Sequence, residues 1–219
     1  DVVNACSWPR TDLVLVPAAL SAAGDRVEDA TGAAVPSQRL RGGELAFVAT
    51  AVPGWGAKRY VVGEGPAASS GSARADGQGL RSGTLAAGID PATGDIADLR
   101  WAGTAGRNLV AGDAGQGLAH YLYVPGLDPA AARTVSKVRV ATGEAGPLVA
   151  SIVVESEAPG ARRLVREYRL ADGLDRLEIA ATVDKIEVRD KESVHLAFPF
   201  DVPGGTVRVD VGWGVVRPE

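Results

Sequence analysis

The chain has 219 residues, with 23 Lys and Arg against 27 Asp and Glu and a net charge of −4. That balance leaves no basic stripe for nucleic acid, and no apolar run approaches the roughly 20 residues of a membrane-spanning helix, so neither partner is expected. A lone cysteine, Cys6, excludes an internal disulfide and a multi-thiolate metal site, and the lack of any Met leads us to expect a processed piece of a longer product.

The first 63 residues read as short strands. Leu13–Val16 is apolar and stopped by Pro17. Val27–Asp29 is followed by the turn Ala30-Thr31-Gly32. Leu45, Phe47 and Ala49 share one face of Glu44–Val52, and Pro53–Gly56 turns the chain into Lys58–Val62. Gly and Pro turns at about ten-residue spacing predict a small β-sandwich over 1–63. Ala18–Ala23 is a helix-prone patch too short to form a helix. Residues 64–83, almost pure Gly, Ala, Ser and polar side chains, read as a linker or mobile loop with nothing to bury.

A second strand-rich region is expected over 84–219. Leu85–Ile89 and Asp95–Trp101 flank the turn Asp90-Pro91-Ala92-Thr93-Gly94 as a hairpin. Val135–Ala141 and Leu148–Glu157 read as strands, and Leu164–Leu170 with Leu177–Val183 as a hairpin around Asp172-Gly173. A phase slip after Val183 predicts a bulge or strand end near Asp184-Lys185. In the last stretch Val194, Leu196, Phe198 and Phe200 alternate on one face. Pro203-Gly204-Gly205 is expected to reverse the chain into a second strand carrying Val207, Val209 and Val211. No segment has helical periodicity. The fold class read here is all-β.

Chemistry is sparse. His120 and His195 are the only histidines and lack metal-ligand spacing. No nucleophile elbow occurs. Glu155 and Glu157 share a strand face, but acids at a strand end read as its solvated rim. Trp101 and Trp213 end apolar strands and are expected in the core. His120, Tyr121 and Tyr123, together in a Gly-rich stretch, are the candidate sugar-binding residues, since aromatic rings stack on sugars.

Several segments resemble the β-rich C-terminal portion of glycoside hydrolase family 38, the zinc-dependent retaining α-mannosidases. They are Asn4-Ala5-Cys6-Ser7-Trp8-Pro9-Arg10, Val35-Pro36-Ser37-Gln38, Gly43–Phe47, Val52-Pro53 with Gly56 and Tyr60, and Leu85–Leu99. Arg166-Glu167-Tyr168-Arg169-Leu170, Lys191-Glu192-Ser193, Phe198-Pro199-Phe200 and the closing Trp213–Glu219 follow in the family's order. The resemblance implies that the second region is part of a galactose-mutarotase-like supersandwich, truncated at its C-terminal end. It implies a parent enzyme acting on carbohydrate, whose N-terminal catalytic domain holds the zinc and the Asp nucleophile. None of those catalytic motifs occurs here. This piece is therefore expected to be inactive, to hold no cofactor, to pack on that domain, and to lend loop residues to its sugar site. An incomplete sheet leaves an open edge, which makes a homodimer a further expected partner. A stand-alone carbohydrate-binding module and an aldose-epimerase-like enzyme are the alternatives.

Overall fold

The computed structural model describes residues 1–112 and 115–218. Positions 113 and 114, inside the Gly-rich stretch, and Glu219, the last residue of the closing motif, lie outside the described residues. The fold is all-β, and its strands pair antiparallel. The Ala-rich patch forms only a 3-10 turn, Ala18–Leu20.

The first unit holds β1 (Val2–Asn4), β2 (Arg10–Val16), β3 (Arg26–Asp29), β4 (Ala34–Val35), β5 (Ser37–Arg39), β6 (Leu45–Val52), β7 (Gly56–Lys58) and β8 (Tyr60–Gly63). Sheets β2-β6-β5 and β4-β3-β8 face each other, and β1 pairs with β7 beside them. Their shared core is Val27, Leu45, Phe47, Ala49 and Val52, with the Tyr60 ring tilted against Phe47 at a centroid distance of 4.8 Å. The expected face of β6 is the buried one. Its other face is covered as well: Ala46 and Val48 turn toward the second unit.

The second unit contains β9 (Arg74–Ala75), β10 (Gly79–Arg81), β11 (Leu85–Ile89), β12 (Ile96–Trp101), β13 (His120–Pro125), β14 (Ser136–Ala145), β15 (Val149–Glu157), β16 (Ala161–Ala171), β17 (Leu177–Lys185) and β18 (Glu192–Ala197). Sheets β12-β11-β10-β9 and β14-β15-β16-β17 pack through Leu80, Ile89, Ile96, Ile152, Tyr168 and Leu170, a sandwich core. The hairpins β11–β12 and β16–β17 match the sequence reading. β17 ends at Lys185, opposite a register shift between Ala161 and Arg163, where the phase slip falls.

Two expectations are corrected. The stretch 64–83 is not a linker throughout: β9 and β10 lie inside it and extend the β11–β12 sheet. Ala73 and Leu80 are buried. Small residues suffice at this edge because the sheet opposite already supplies bulk, so low hydrophobicity conceals strands that pair through backbone groups. The last stretch also differs. β18 pairs with β13, and the chain leaves the strand at Phe198, so Phe198 and Phe200 are exposed. The turn at Pro203-Gly204 does form, but its flanks do not pair with each other. Instead β19 (Val209–Val211) pairs with β20 (Gly214–Val216) around Gly212-Trp213.

The two units meet through Leu40 and Ala46 on one side and Leu148, Val149, Ala171 and Leu174 on the other. Gln38 closes the polar part of the seam. Its Nε2 donates to Val149 O at 3.0 Å, and its Oε1 accepts from Leu148 N at 3.0 Å and Val149 N at 2.9 Å. Gln38→Ala leaves these backbone groups without partners. We expect a loss of about 1–3 kcal/mol in urea unfolding, and a loss below about 0.5 kcal/mol would mean that solvent replaces the amide fully.

Candidate functional site

β13 carries the three residues singled out in the sequence, and strand alternation separates them. His120 and Leu122 point to one side, Tyr121 and Tyr123 to the other, in register with Ala197, His195, Leu196 and Val194 of β18. Tyr121 is fully buried among Ala158, Ala161 and Leu164 and donates its hydroxyl to Pro159 O at 2.6 Å. Burial pushes its phenol pKa up. Its ring face is therefore closed to a sugar, which corrects the expectation of a stacking residue there.

Tyr123 is half-buried at the rim of the same cluster. Hydrogen bonding to Glu192 is the main cause that raises its pKa. Lys185 Nζ bonds the same carboxylate, which holds Glu192 below its ordinary range, and sits 5.9 Å from the Tyr123 ring centroid. Tyr123 thus keeps its proton and belongs to a charged rim network.

His120 enters a buried polar group that the sequence reading did not assemble. Leu164, Arg166, Tyr168 and Leu170 occupy the inward phase of β16, so Arg166 is carried into the core with no exposed side-chain surface. Its guanidinium donates to Asp95 Oδ1 at 2.8 Å, Ala119 O at 2.9 Å and Thr93 O at 2.6 Å. Asp95 Oδ2 lies 2.5 Å from His120 Nδ1. A carboxylate already serving Arg166 only accepts, so Nδ1 carries the proton. Tyr168 donates to Gly94 O at 2.7 Å, and burial raises its pKa to about 12. Arg166 Nε is left without a partner.

The Asp90–Gly94 turn delivers Asp95 to this point. Asp90 accepts from Ala92 N and Thr93 Oγ1, both at 2.9 Å, and Gly94 N closes onto Asp90 O at 2.7 Å. Gly94 has φ +72°, and a Cβ there would collide with Val154 and the Arg166 guanidinium. Only glycine lets the turn lie on the arginine.

The Asp95–His120 pair is oriented like the lower half of a hydrolytic triad, but among the described residues no hydroxyl or thiol is hydrogen-bonded to His120. The open grooves lie elsewhere. One of about 900 Å³ runs past Asp29, Lys58, Arg59, Tyr60 and Asp172. A second, of about 620 Å³, contains His195, whose Nε2 lies 2.9 Å from Ser193 Oγ. Glu192 borders that groove, yet its carboxylate is held by Lys185 on the other face of the ribbon. An imidazole and a glutamate do not converge there, and epimerase chemistry needs such a pair within reach of one sugar. Glu155 and Glu157 are rim acids, paired with Arg163 and Lys137. Among the described residues no three His, Cys, Asp or Glu side chains are grouped to hold a metal ion.

The tryptophans also depart from expectation. Trp213 occupies the β19–β20 turn and is fully exposed, and Trp101 is 37% exposed at the end of β12, so neither is core. Trp8 and Trp55 are 61% and 75% exposed at one corner of the first unit. Asn4 ties that corner: its Nδ2 donates to Trp8 O at 2.7 Å, Val52 O at 3.1 Å and Pro53 O at 3.2 Å. Trp55 N donates to Cys6 O at 2.9 Å.

Asp95 and Arg166 are the residues that sequence reasoning missed. The available signal was an arginine at an inward position of a strand otherwise carrying Leu, Tyr and Leu. Such a residue requires a buried acid, and an acid directly after a tight glycine turn is well placed to supply it. No protein-family model and no curated protein matches this chain.

Proposed function

We propose that these residues are the non-catalytic β-sandwich portion of a glycoside hydrolase of family 38 type, a support for an α-mannosidase-like catalytic domain and itself without hydrolytic activity. One observation carries this reading: two pairs of the motifs in the resemblance, distant in sequence, are joined by side-chain hydrogen bonds. Asn4 of the first motif binds the backbone of Val52-Pro53, itself a motif. Arg166 and Tyr168 of Arg166–Leu170 bind Thr93, Gly94 and Asp95 of Leu85–Leu99, more than 70 residues away in sequence. A set of motifs that share contacts is a single structural device, as expected of a scaffold. Asn4, Asp95, Arg166 and Tyr168 are spent on backbone groups and on each other, so they hold the sandwich. The second unit, two face-to-face sheets, fits a partial mutarotase-like supersandwich.

Two measurements test this. The purified chain is expected to leave an aryl α-mannoside unhydrolysed with or without zinc, and turnover would refute it. The reading frame upstream of Asp1 is expected to encode a zinc-ligand His-x-Asp and a nucleophile Asp, and a frame containing neither would refute the family assignment.

A second reading, a carbohydrate-binding module, is favoured by the exposed Trp8–Trp55 corner, because indole faces stack on sugar rings. Titration with mannose oligosaccharides should then quench tryptophan fluorescence in the native chain and not in Trp55→Ala. No response up to millimolar sugar removes this reading.

A further inference from the structure

We propose that β19 is a self-complementary edge through which two copies of this chain associate, each pairing its strand antiparallel with the same strand of the other about a two-fold axis. This inference stands apart from the family reading and does not depend on it. It starts from what the hairpin leaves open. β19 pairs only with β20, so its second edge is unpaired, and Val207, Val209, Val211, Trp213, Val215 and Val216 are exposed. An unpaired edge beside exposed valines is a template for another strand.

The register follows from two constraints. Val211 faces Gly214 and Val209 faces Val216 across the two-residue loop. In an antiparallel hairpin the pair flanking such a loop exchanges both hydrogen bonds, and the bonded pairs then alternate. Val209 and Val211 therefore spend their N–H and C=O on β20, while Asp210 directs its own outward, and Arg208, the residue before β19, takes the same phase once pairing extends the strand by one residue. Only registers that place even-numbered positions opposite one another can form bonds across the open edge.

Charge then chooses among them. Centring the axis on Val209 sets Arg208 opposite Asp210 of the second copy and Asp210 opposite its Arg208. Val207 then faces Val211 in both directions. Shifting the axis by one residue either way sets Arg208 against Arg208 or Asp210 against Asp210, and like charges directly opposite are unfavourable. Charged residues on an edge ordinarily discourage pairing. Here the order Val-Arg-Val-Asp-Val, running from Val207 to Val211, reads as complementary to itself when reversed, so the charges select a second copy of the same strand. Among the described residues neither Arg208 nor Asp210 takes part in an ion pair within the chain, which leaves both for the partner.

Sedimentation equilibrium over a micromolar to millimolar range tests this. The native chain is expected to dimerise. Arg208→Asp and Asp210→Arg each replace two opposite-charge pairs by two like-charge pairs and should weaken the dimer by about ten-fold or more. The double variant R208D/D210R restores opposite charges in the same register and should recover the native dissociation constant to within about three-fold. Both substituted positions are exposed, so unfolding midpoints should stay unchanged and report that the monomer is intact. A chain monomeric at every concentration overturns the proposal and leaves the edge to a different strand. A dimer that ignores both single reversals, or a double variant no better than either single one, overturns it by placing the interface elsewhere.

Discussion

Asp95→Asn is expected to destabilise the chain by about 3–5 kcal/mol, although it preserves the shape of the side chain. The reason is the company Asp95 keeps. Arg166 is wholly buried, and a buried cation deprived of its counter-charge costs several kcal/mol because the lost hydration is no longer offset. The backbone oxygens of Ala119 and Thr93 remain as acceptors, but two carbonyl dipoles do not replace a full negative charge. Urea unfolding followed by far-UV circular dichroism measures the effect. The companion variant Arg166→Met separates the charge from the packing. In D95N/R166M no buried cation is left, so the combined loss should fall short of the sum of the single losses by about 1–3 kcal/mol, as for residues sharing one network. Should D95N fail to fold outright, the double variant is expected to fold again. A D95N chain within about 1 kcal/mol of native would show that Asp95 does not neutralise Arg166.

The extent to which this fold was legible in the sequence follows from what each segment uses for pairing. In Leu45–Ala49, apolar at every position, period-two reading placed Leu45, Phe47 and Ala49 on the face that is buried between the two sheets, and it found Leu164–Leu170 as one strand of a hairpin. Where the chain pairs through backbone groups between small side chains, as in Arg74–Ala75 and Gly79–Arg81, composition pointed to a linker, and only the facing sheet reveals a strand. Alternation also misled at Phe198 and Phe200. Their spacing continues the β18 pattern, but Pro199 lies between them and the chain no longer pairs there with β13. The buried polar group was half visible. His120 stood out as a rare residue type, whereas Asp95 looked like one more turn acid and Arg166 one more strand charge. Their conjunction depends on the β11–β12 turn meeting β16 across the sandwich, a contact between positions 71 residues apart that no local pattern encodes.

The same packing that hides Tyr168 makes stability fall at high pH. In the unfolded chain its phenol titrates near pH 10, and in the folded chain burial holds it to about 12. Below pH 10 both states are protonated and the residue contributes no pH dependence. Between about pH 10 and 12 the unfolded chain releases this proton while the folded chain keeps it, so the unfolded state is favoured increasingly. A difference of about two units corresponds to about 2–3 kcal/mol of stability lost by pH 12. Tyr121 and Tyr123 are also raised and act in the same direction, so the measurement is the difference between the native chain and Tyr168→Phe. That variant should lose about 1–2 kcal/mol at neutral pH, because Gly94 O loses its donor. Its unfolding free energy should then fall less steeply above pH 10, and the native and variant curves should converge as pH 12 is approached. Parallel curves across that window would mean that the Tyr168 phenol ionises alike in both states, and therefore that the contact between β16 and the β11–β12 turn admits water.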